Sequence, residues 1–215
     1  MKVVFLEASI ELVPEVIADH PAILADARRR RKSSKEILLD DSKHHSAMKK
    51  LKDWKKRGRP DIIHSCLLLL LDSPFSKDLE IYVHTVEDKI IKLNPKVRLP
   101  RNYNRFVGLM EDLMKKGKIE VDREVLVEIV DEKLEEIIDG KVLVFHEKGE
   151  SLKENILDYS TVCIGAFPHG DFSEKTMKAL KGAKFVSLGL ESYTSLYVTC
   201  KFLSFYEGVR INRSC

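Results

Sequence analysis

The stretch NPKVRLPRNYNRFVGLM, Asn94 to Met110, organises the reading of the whole chain. Phe106, Leu109, Met110 and Leu113 recur at i, i+3, i+4 and i+7, which predicts an amphipathic helix with one face for the core. Pro100 suits the first helical position, where its missing N–H costs nothing. That places Arg101 in the first turn, Arg105 one turn on and Arg98 just ahead of the start. Cations at a helix N-terminus oppose its dipole, so stability does not account for them. Arginines beside free backbone N–H groups form an anion site, and phosphate is the commonest biological candidate. Solvated arginines on an exposed helix end satisfy the same spacing.

Working backwards from there, IYVHT from Ile81 and KIIKLNP from Lys89 alternate apolar and polar residues around Glu87–Asp88. This predicts a β-hairpin leading into the arginine helix, with His84 read as structural. Before it lies RPDIIHSCLLLLLDSP, Arg59 to Pro74, whose segment Ile62–Leu71 is apolar nearly all round and predicts a short buried helix. Asp61 falls in its first turn, where a carboxylate caps favourably, yet it also stands two residues from Arg59. A carboxylate that fixes an arginine makes a preorganised cation for a phosphate or base edge.

Working forwards, Glu124–Ile138 reads as an amphipathic helix, after which strands and helices alternate. Lys141–Glu147, Thr161–Phe167 and Lys184–Leu188 are predicted strands. Helices are expected over Ser151–Leu157, Phe172–Leu180 and Tyr193–Gly208. Such alternation implies an α/β parallel sheet with ligand loops at the strand C-terminal ends. Gly165 and Gly170 flank one such end, and Gly189 with LESYTSL, Leu190–Leu196, marks the next. Small residues there suit a nucleoside-sized pocket. No Walker loop, GxSxG, HExxH or GxGxxG occurs.

Three stretches, NPKVRLPRNYNRFVGLM, RPDIIHSCLLLLLDSP and IGAFPHG followed by LESYTSL, together resemble the small-subunit ribosomal-RNA pseudouridine N(1)-methyltransferases of archaea and eukaryotes, a SPOUT-superfamily branch. The third departs from the family at Thr194 and Ser195, where a proline-leucine pair is expected. The resemblance implies one SPOUT-type domain over 1–215. Helices would cover both faces of its parallel sheet, with an inserted hairpin and helix and a C-terminal trefoil knot. Residues of about 30–120 would form the RNA-binding part and about 140–215 the knotted part that binds S-adenosylmethionine. It implies small-subunit ribosomal RNA and a second copy of the chain as partners. Arg59, Arg98, Arg101 and Arg105 would contact RNA, with Asp61 orienting Arg59 or serving catalysis. Gly165, Gly170, Leu190, Glu191, Ser192, Tyr193, Thr194 and Ser195 would hold the cofactor. The rival is a non-catalytic RNA-binding ribosome-assembly factor.

Composition agrees with a polyanion partner. Residues 1–116 hold 24 basic and 17 acidic side chains, whereas 117–215 hold 13 and 17, so the first half is the basic one. Its densest run, Arg28–Lys35, is read as a solvated segment or as diffuse attraction to a phosphate backbone. Adjacent His44 and His45 would not share one metal on a helix, and no metal is expected. The N-terminus lacks a signal-peptide pattern, and Cys66–Leu71 is too short to span a bilayer. The four widely spaced cysteines read as reduced, mostly buried thiols of a cytoplasmic protein. The chain has no glutamine and few asparagines, which fits a thermophilic source; the resemblance implies an archaeal one, or the nucleolus in a eukaryote.

Overall fold

Val3, Val4, Phe5 and Leu6 are fully buried, and the structure is built outward from them. The computed structural model describes residues 1–153 and 155–213. Its elements are β1 (Lys2–Ala8), α1 (Pro21–Arg30), α2 (Asp41–Met48), α3 (Pro60–Asp72), β2 (Glu80–Thr85), β3 (Ile90–Leu93) and α4 (Tyr103–Lys116). There follow β4 (Lys118–Val121), β5 (Glu124–Val130), α5 (Leu134–Ile137), β6 (Val142–Ser151), β7 (Thr161–Gly165), α6 (Glu174–Ala179), β8 (Lys184–Ser187) and α7 (Ser195–Arg213). The strands form one eight-stranded sheet in the order β4-β5-β3-β2-β1-β7-β6-β8. The five from β2 to β8 run parallel, while β3, β5 and β4 extend the sheet antiparallel.

Period-two geometry sends the side chains of β1 to two cores. Val3 and Phe5 join Ile63 and Leu67 of α3, Phe106 and Met110 of α4, and Phe202 of α7. Val4 and Leu6 join Leu134 and Ile137 of α5 with Leu180 just after α6. Helices therefore cover both faces, as expected. Helices α1 and α2 close a third, separate cluster around Ile23, Ala27, Ala47 and Met48.

The predicted hairpin is β2 and β3. Several expectations are corrected. Glu124–Ile138 is not one helix: Glu124–Val130 is β5 and only Leu134–Ile137 is helical. β5 pairs with β4 through Asp122 and Arg123, both at positive φ, a two-residue turn whose twist matches the strands. The alternation of Val125, Val127 and Ile129 was the signal, and the absence of glycine from the turn hid it. Pro100 does not start α4. Asn102 does, its side chain accepting from the Arg105 N–H at 3.2 Å, so Arg101 precedes the helix. Ser151 ends β6, and only Ile156–Asp158 form a short 3-10 turn after it; Glu154, inside the expected helix, lies outside the described residues. Cys66 and Cys163 are buried but Cys200 is exposed. Burial pushes the Cys66 thiol up to about 11. The expectation for Cys215 lies outside the described residues. No helix among them is long and apolar enough to cross a membrane.

One glycine is fixed by close approach rather than by its dihedrals. A Cβ on Gly149 would stand 2.5 Å from the Val186 backbone, whereas one on Gly108, inside α4, meets nothing within 4 Å. Gly149→Ala is expected to cost about 1–3 kcal/mol of unfolding free energy. Gly108→Ala should instead add roughly 0.5–1 kcal/mol. Urea titration of both variants checks the contrast, and equal effects would contradict it.

Candidate functional site

A cavity of about 570 Å³ opens beyond the carboxyl ends of β7 and β8, against the middle of β6. One wall comes from an interruption in pairing: Phe145 and Glu150 both align with Val186 of β8, so His146–Gly149 loop outward between them. The opposite wall is the turn after β7. There Gly165 lies under Phe167 and Phe172, with room for a Cβ only 3.2 Å from the Phe167 ring. Gly170 adopts φ +94°, which a side chain would strain although no neighbour lies in its way. The rim is closed by Glu191, Ser192, Tyr193 and Ser195, and Ser192 hydrogen-bonds Glu147 across the mouth.

Six of the eight expected pocket residues therefore line this cavity. Leu190 does not, being fully exposed, and Thr194 does not, since its hydroxyl accepts from the Tyr197 N–H at the start of α7. Sequence reading missed the β6 wall. His146 accepts from the Lys148 N–H at Nδ1 (3.1 Å) and donates from Nε2 to Asp171 (2.8 Å), so both ring nitrogens are occupied. That hydrogen bond, with the Lys148 ammonium, holds the Asp171 carboxyl well below the usual carboxylate range. The signal for β6 was its strand pattern; what put it beside β7 and β8 is strand order, which has no local signature.

The arginines gather elsewhere, along α3. Arg59 donates twice to Asp61, Nε to Oδ1 and Nη2 to Oδ2, each at 2.8 Å, a planar fork that raises the arginine's pKa further. At the other end of α3, Arg101 donates to both oxygens of Asp72 at 2.9 and 3.0 Å. The Arg98–Arg105 segment is pinned at three points. His64 donates to the Pro100 carbonyl at 2.8 Å, Asn102 caps α4, and the Tyr103 hydroxyl donates to Asp40 at 3.0 Å. Arg98, Arg101 and Arg105 remain exposed. Asp72, His64, Tyr103 and Asp40 were missed, because their partners are 29 to 63 residues away.

The basic run is corrected in part. Arg29 binds Asp26 at 2.5 Å, while Arg30 (2.5 Å) and Lys32 (2.7 Å) bind Glu111 of α4. Glu111 is buried and also accepts from the Leu38 N–H. Arg30 and Lys32 thus fasten the end of α1 to α4, whereas Arg29 pairs within α1; Arg28 and Arg31 stay exposed. His44 and His45 turn to different partners, the Asp40 N–H and the Asp41 carboxylate. Among the described residues no group of three or more potential metal ligands gathers.

A nucleoside-sized cavity beyond parallel strand ends, apart from an exposed arginine surface, defines an α/β protein with a pocket fit for a small ligand. The family model described as EMG1/NEP1 methyltransferase matches residues 3–207, and the chain belongs to that family. It is similar to the ribosomal RNA small subunit methyltransferase Nep1 of Archaeoglobus fulgidus, 57% identical over 213 residues, covering 98% of this chain and 97% of that protein. The protein of the same description from Saccharolobus solfataricus is 44% identical, with 95% of each chain covered. The crystal structure of Archaeoglobus fulgidus Nep1 bound to S-adenosylhomocysteine superposes with a TM-score of 0.94 at 56% identity, covering 98% of both chains.

The two kinds of ion pair predict different losses. The Arg59–Asp61 fork is 41% and 44% exposed, so Asp61→Ala should cost under about 1 kcal/mol. Glu111→Ala strands Arg30, Lys32 and a buried N–H, and should cost about 3–5 kcal/mol. Denaturant unfolding separates them. A loss at Asp61 as large as that at Glu111 would make the fork a structural device.

Proposed function

We propose that this chain transfers the methyl group of S-adenosylmethionine to N1 of a pseudouridine in small-subunit ribosomal RNA, in the course of ribosome biogenesis. The observation that carries the reading is the match, across 98% of both chains, to a relative bound to S-adenosylhomocysteine, the demethylated product of such a donor. The cavity residues fit that group. Phe145, Phe167 and Phe172 offer an apolar bed, Gly165 lets backbone approach closely, and Glu191 and Ser192 supply polar partners at the rim.

The donor brings an already activated sulfonium, so the protein's work is mostly alignment. Transfer would form the N1–carbon bond as the sulfur–carbon bond breaks, releasing S-adenosylhomocysteine, with the N1 proton passing to water or a backbone carbonyl. His146 is a poor acceptor for that proton, with both ring nitrogens engaged. Asp61 has its oxygens committed to Arg59, which favours the orienting role over that of a base. Arg59, Arg98, Arg101 and Arg105 then hold the RNA. Two fixed forks and two free guanidinia suit phosphates and the edges of unstacked bases. Residues of about 30–120 form the RNA-binding part and about 140–215 the cofactor part.

The same reading includes a C-terminal trefoil knot and a homodimer. In support of the dimer, α7 buries Phe202, Leu203 and Tyr206 against the core yet leaves Leu196, Tyr197, Phe205 and Ile211 exposed, an apolar surface that a second copy would cover. Of the two departures from the family pattern, Thr194 accepts from the Tyr197 N–H at the start of α7 and Ser195 lines the cavity.

Two measurements test the function. Nucleoside mass spectrometry should find one methyl group on a hairpin carrying pseudouridine and none on its uridine counterpart; cofactor-free binding to both with no methylation would favour the assembly-factor reading. In single-stranded RNA each phosphate contact contributes about −0.7 to the slope of log affinity against log salt. Replacing Arg98, Arg101 and Arg105 by alanine should therefore flatten that slope by up to roughly 2 and abolish discrimination against a scrambled hairpin. Alanines at Arg28 and Arg31 should lower both affinities alike. The opposite pattern would move the recognition surface to α1.

A further inference from the structure

We infer that Lys56 is a positioning residue for the cofactor, gripping the Phe167–Phe172 turn from the side opposite the cavity. The inference rests on reading that cavity as the cofactor site. Lys56 belongs to the short 3-10 turn Trp54–Lys56, three residues before Arg59, and its side chain is 16% exposed. It pairs with the Glu7 carboxylate, donates to the Asp171 carbonyl at 2.5 Å and lies 3.9 Å from the centre of the Phe167 ring. Of the ammonium's three N–H groups two have oxygen acceptors here, while its charge faces the Phe167 ring.

The geometry around the turn explains why this grip matters. His169, Gly170 and Asp171 separate two spaces: the cavity, and a cleft of about 790 Å³ between Trp54–Arg57 and the ends of β1 and β2. The turn is thus a wall one chain thick. From the cavity side, His146 and Lys148 hold the Asp171 carboxylate. From the cleft side, Lys56 holds the carbonyl of the same residue. Glu7 completes the brace by accepting from the Ser173 N–H at 2.8 Å, so one buried carboxylate fastens both Lys56 and the start of α6. Gly170, at φ +94° with nothing near its α-carbon substituent, gives the wall a point at which it bends once unheld.

Removing the ammonium leaves the Asp171 carbonyl and the buried Glu7 carboxylate without it, and the wall relaxes into the cleft. That widens the cofactor cavity without touching the arginine face. The test uses the full chain as parent, Lys56→Met and Lys56→Arg, titrated calorimetrically with S-adenosylhomocysteine and assayed on a pseudouridine hairpin. The Met variant should bind S-adenosylhomocysteine about tenfold more weakly, the loss of one charged hydrogen bond's worth of wall fixation. KM for S-adenosylmethionine should rise in parallel, with kcat and hairpin affinity retained and Lys56→Arg recovering most of the loss. Unchanged affinity in Lys56→Met would overturn the inference. So would equal falls in kcat, cofactor affinity and hairpin affinity that Lys56→Arg does not rescue, since that is general destabilisation. Should Lys56→Met fail to fold, Lys56→Gln, which keeps an N–H donor without the charge, must still weaken S-adenosylhomocysteine binding or the inference fails. A parent that does not bind S-adenosylhomocysteine would defeat the reading of the cavity itself, a result visible before any variant is made.

Discussion

Glu7, next to the last residue of strand β1, is a buried carboxylate held at φ 55°, and both sides of the molecule depend on how it is satisfied. A buried charge must be paired and hydrogen-bonded or it unfolds its surroundings. Burial alone would raise the Glu7 carboxyl; the hydrogen bonds from Lys56, Thr176 and Ser173 outweigh it and hold the group below its usual range. A carboxyl depressed on folding contributes stability above the ordinary carboxylate pKa and loses it as pH falls through the lowered value. Meeting Glu7's needs brings the 54–56 segment, the turn after β7 and the start of α6 to one place. The left-handed backbone at Glu7 is a strain of the kind found beside ligand sites, and here it aims the side chain across the strand ends.

The arginine face follows a different logic. Arg105 in the first turn of α4 and Arg101 just before it oppose the helix dipole, and the structure spends three hydrogen bonds on holding their segment in place. The forks with Asp61 and Asp72 are exposed and add little stability. They fix the orientation of a planar cation in advance, which lowers the entropy lost when an anion binds. Arg30 and Lys32 of the Arg28–Lys35 run do the reverse, giving up their charge to buried Glu111 so that α1 and its small core stay attached to α4.

Much of this was legible in the chain. Alternation around Glu87–Asp88 gave the hairpin, the apolar run Ile62–Leu71 gave α3, and strand-end glycines marked the turn at Gly165–Gly170. Helix onsets were less legible: Pro100 suggested a start, but Asn102 offers an acceptor to the Arg105 N–H that proline cannot. β5 was hidden because Asp122 and Arg123 adopt left-handed conformations usually left to Asn-Gly. The site was half visible for a physical reason. Its glycines and rim residues are local in sequence, whereas the β6 wall, the Glu7–Lys56 brace and the Asp72 fork exist only once distant segments meet. No local pattern announces that residues 49 apart, such as Glu7 and Lys56, will share a proton-rich contact.

The proposed function puts the cofactor in the cavity beside β6 and the ends of β7 and β8, and RNA along α3 and the start of α4. Amide hydrogen exchange with S-adenosylhomocysteine alone and then with a pseudouridine hairpin alone tests that division most directly. The first ligand is predicted to protect amides at 145–148, 165–172 and 187–195 and to leave 98–106 unchanged. The hairpin is predicted to protect 59–62 and 98–106. Protection of the arginine segment by S-adenosylhomocysteine, with none at 165–172, would contradict the account.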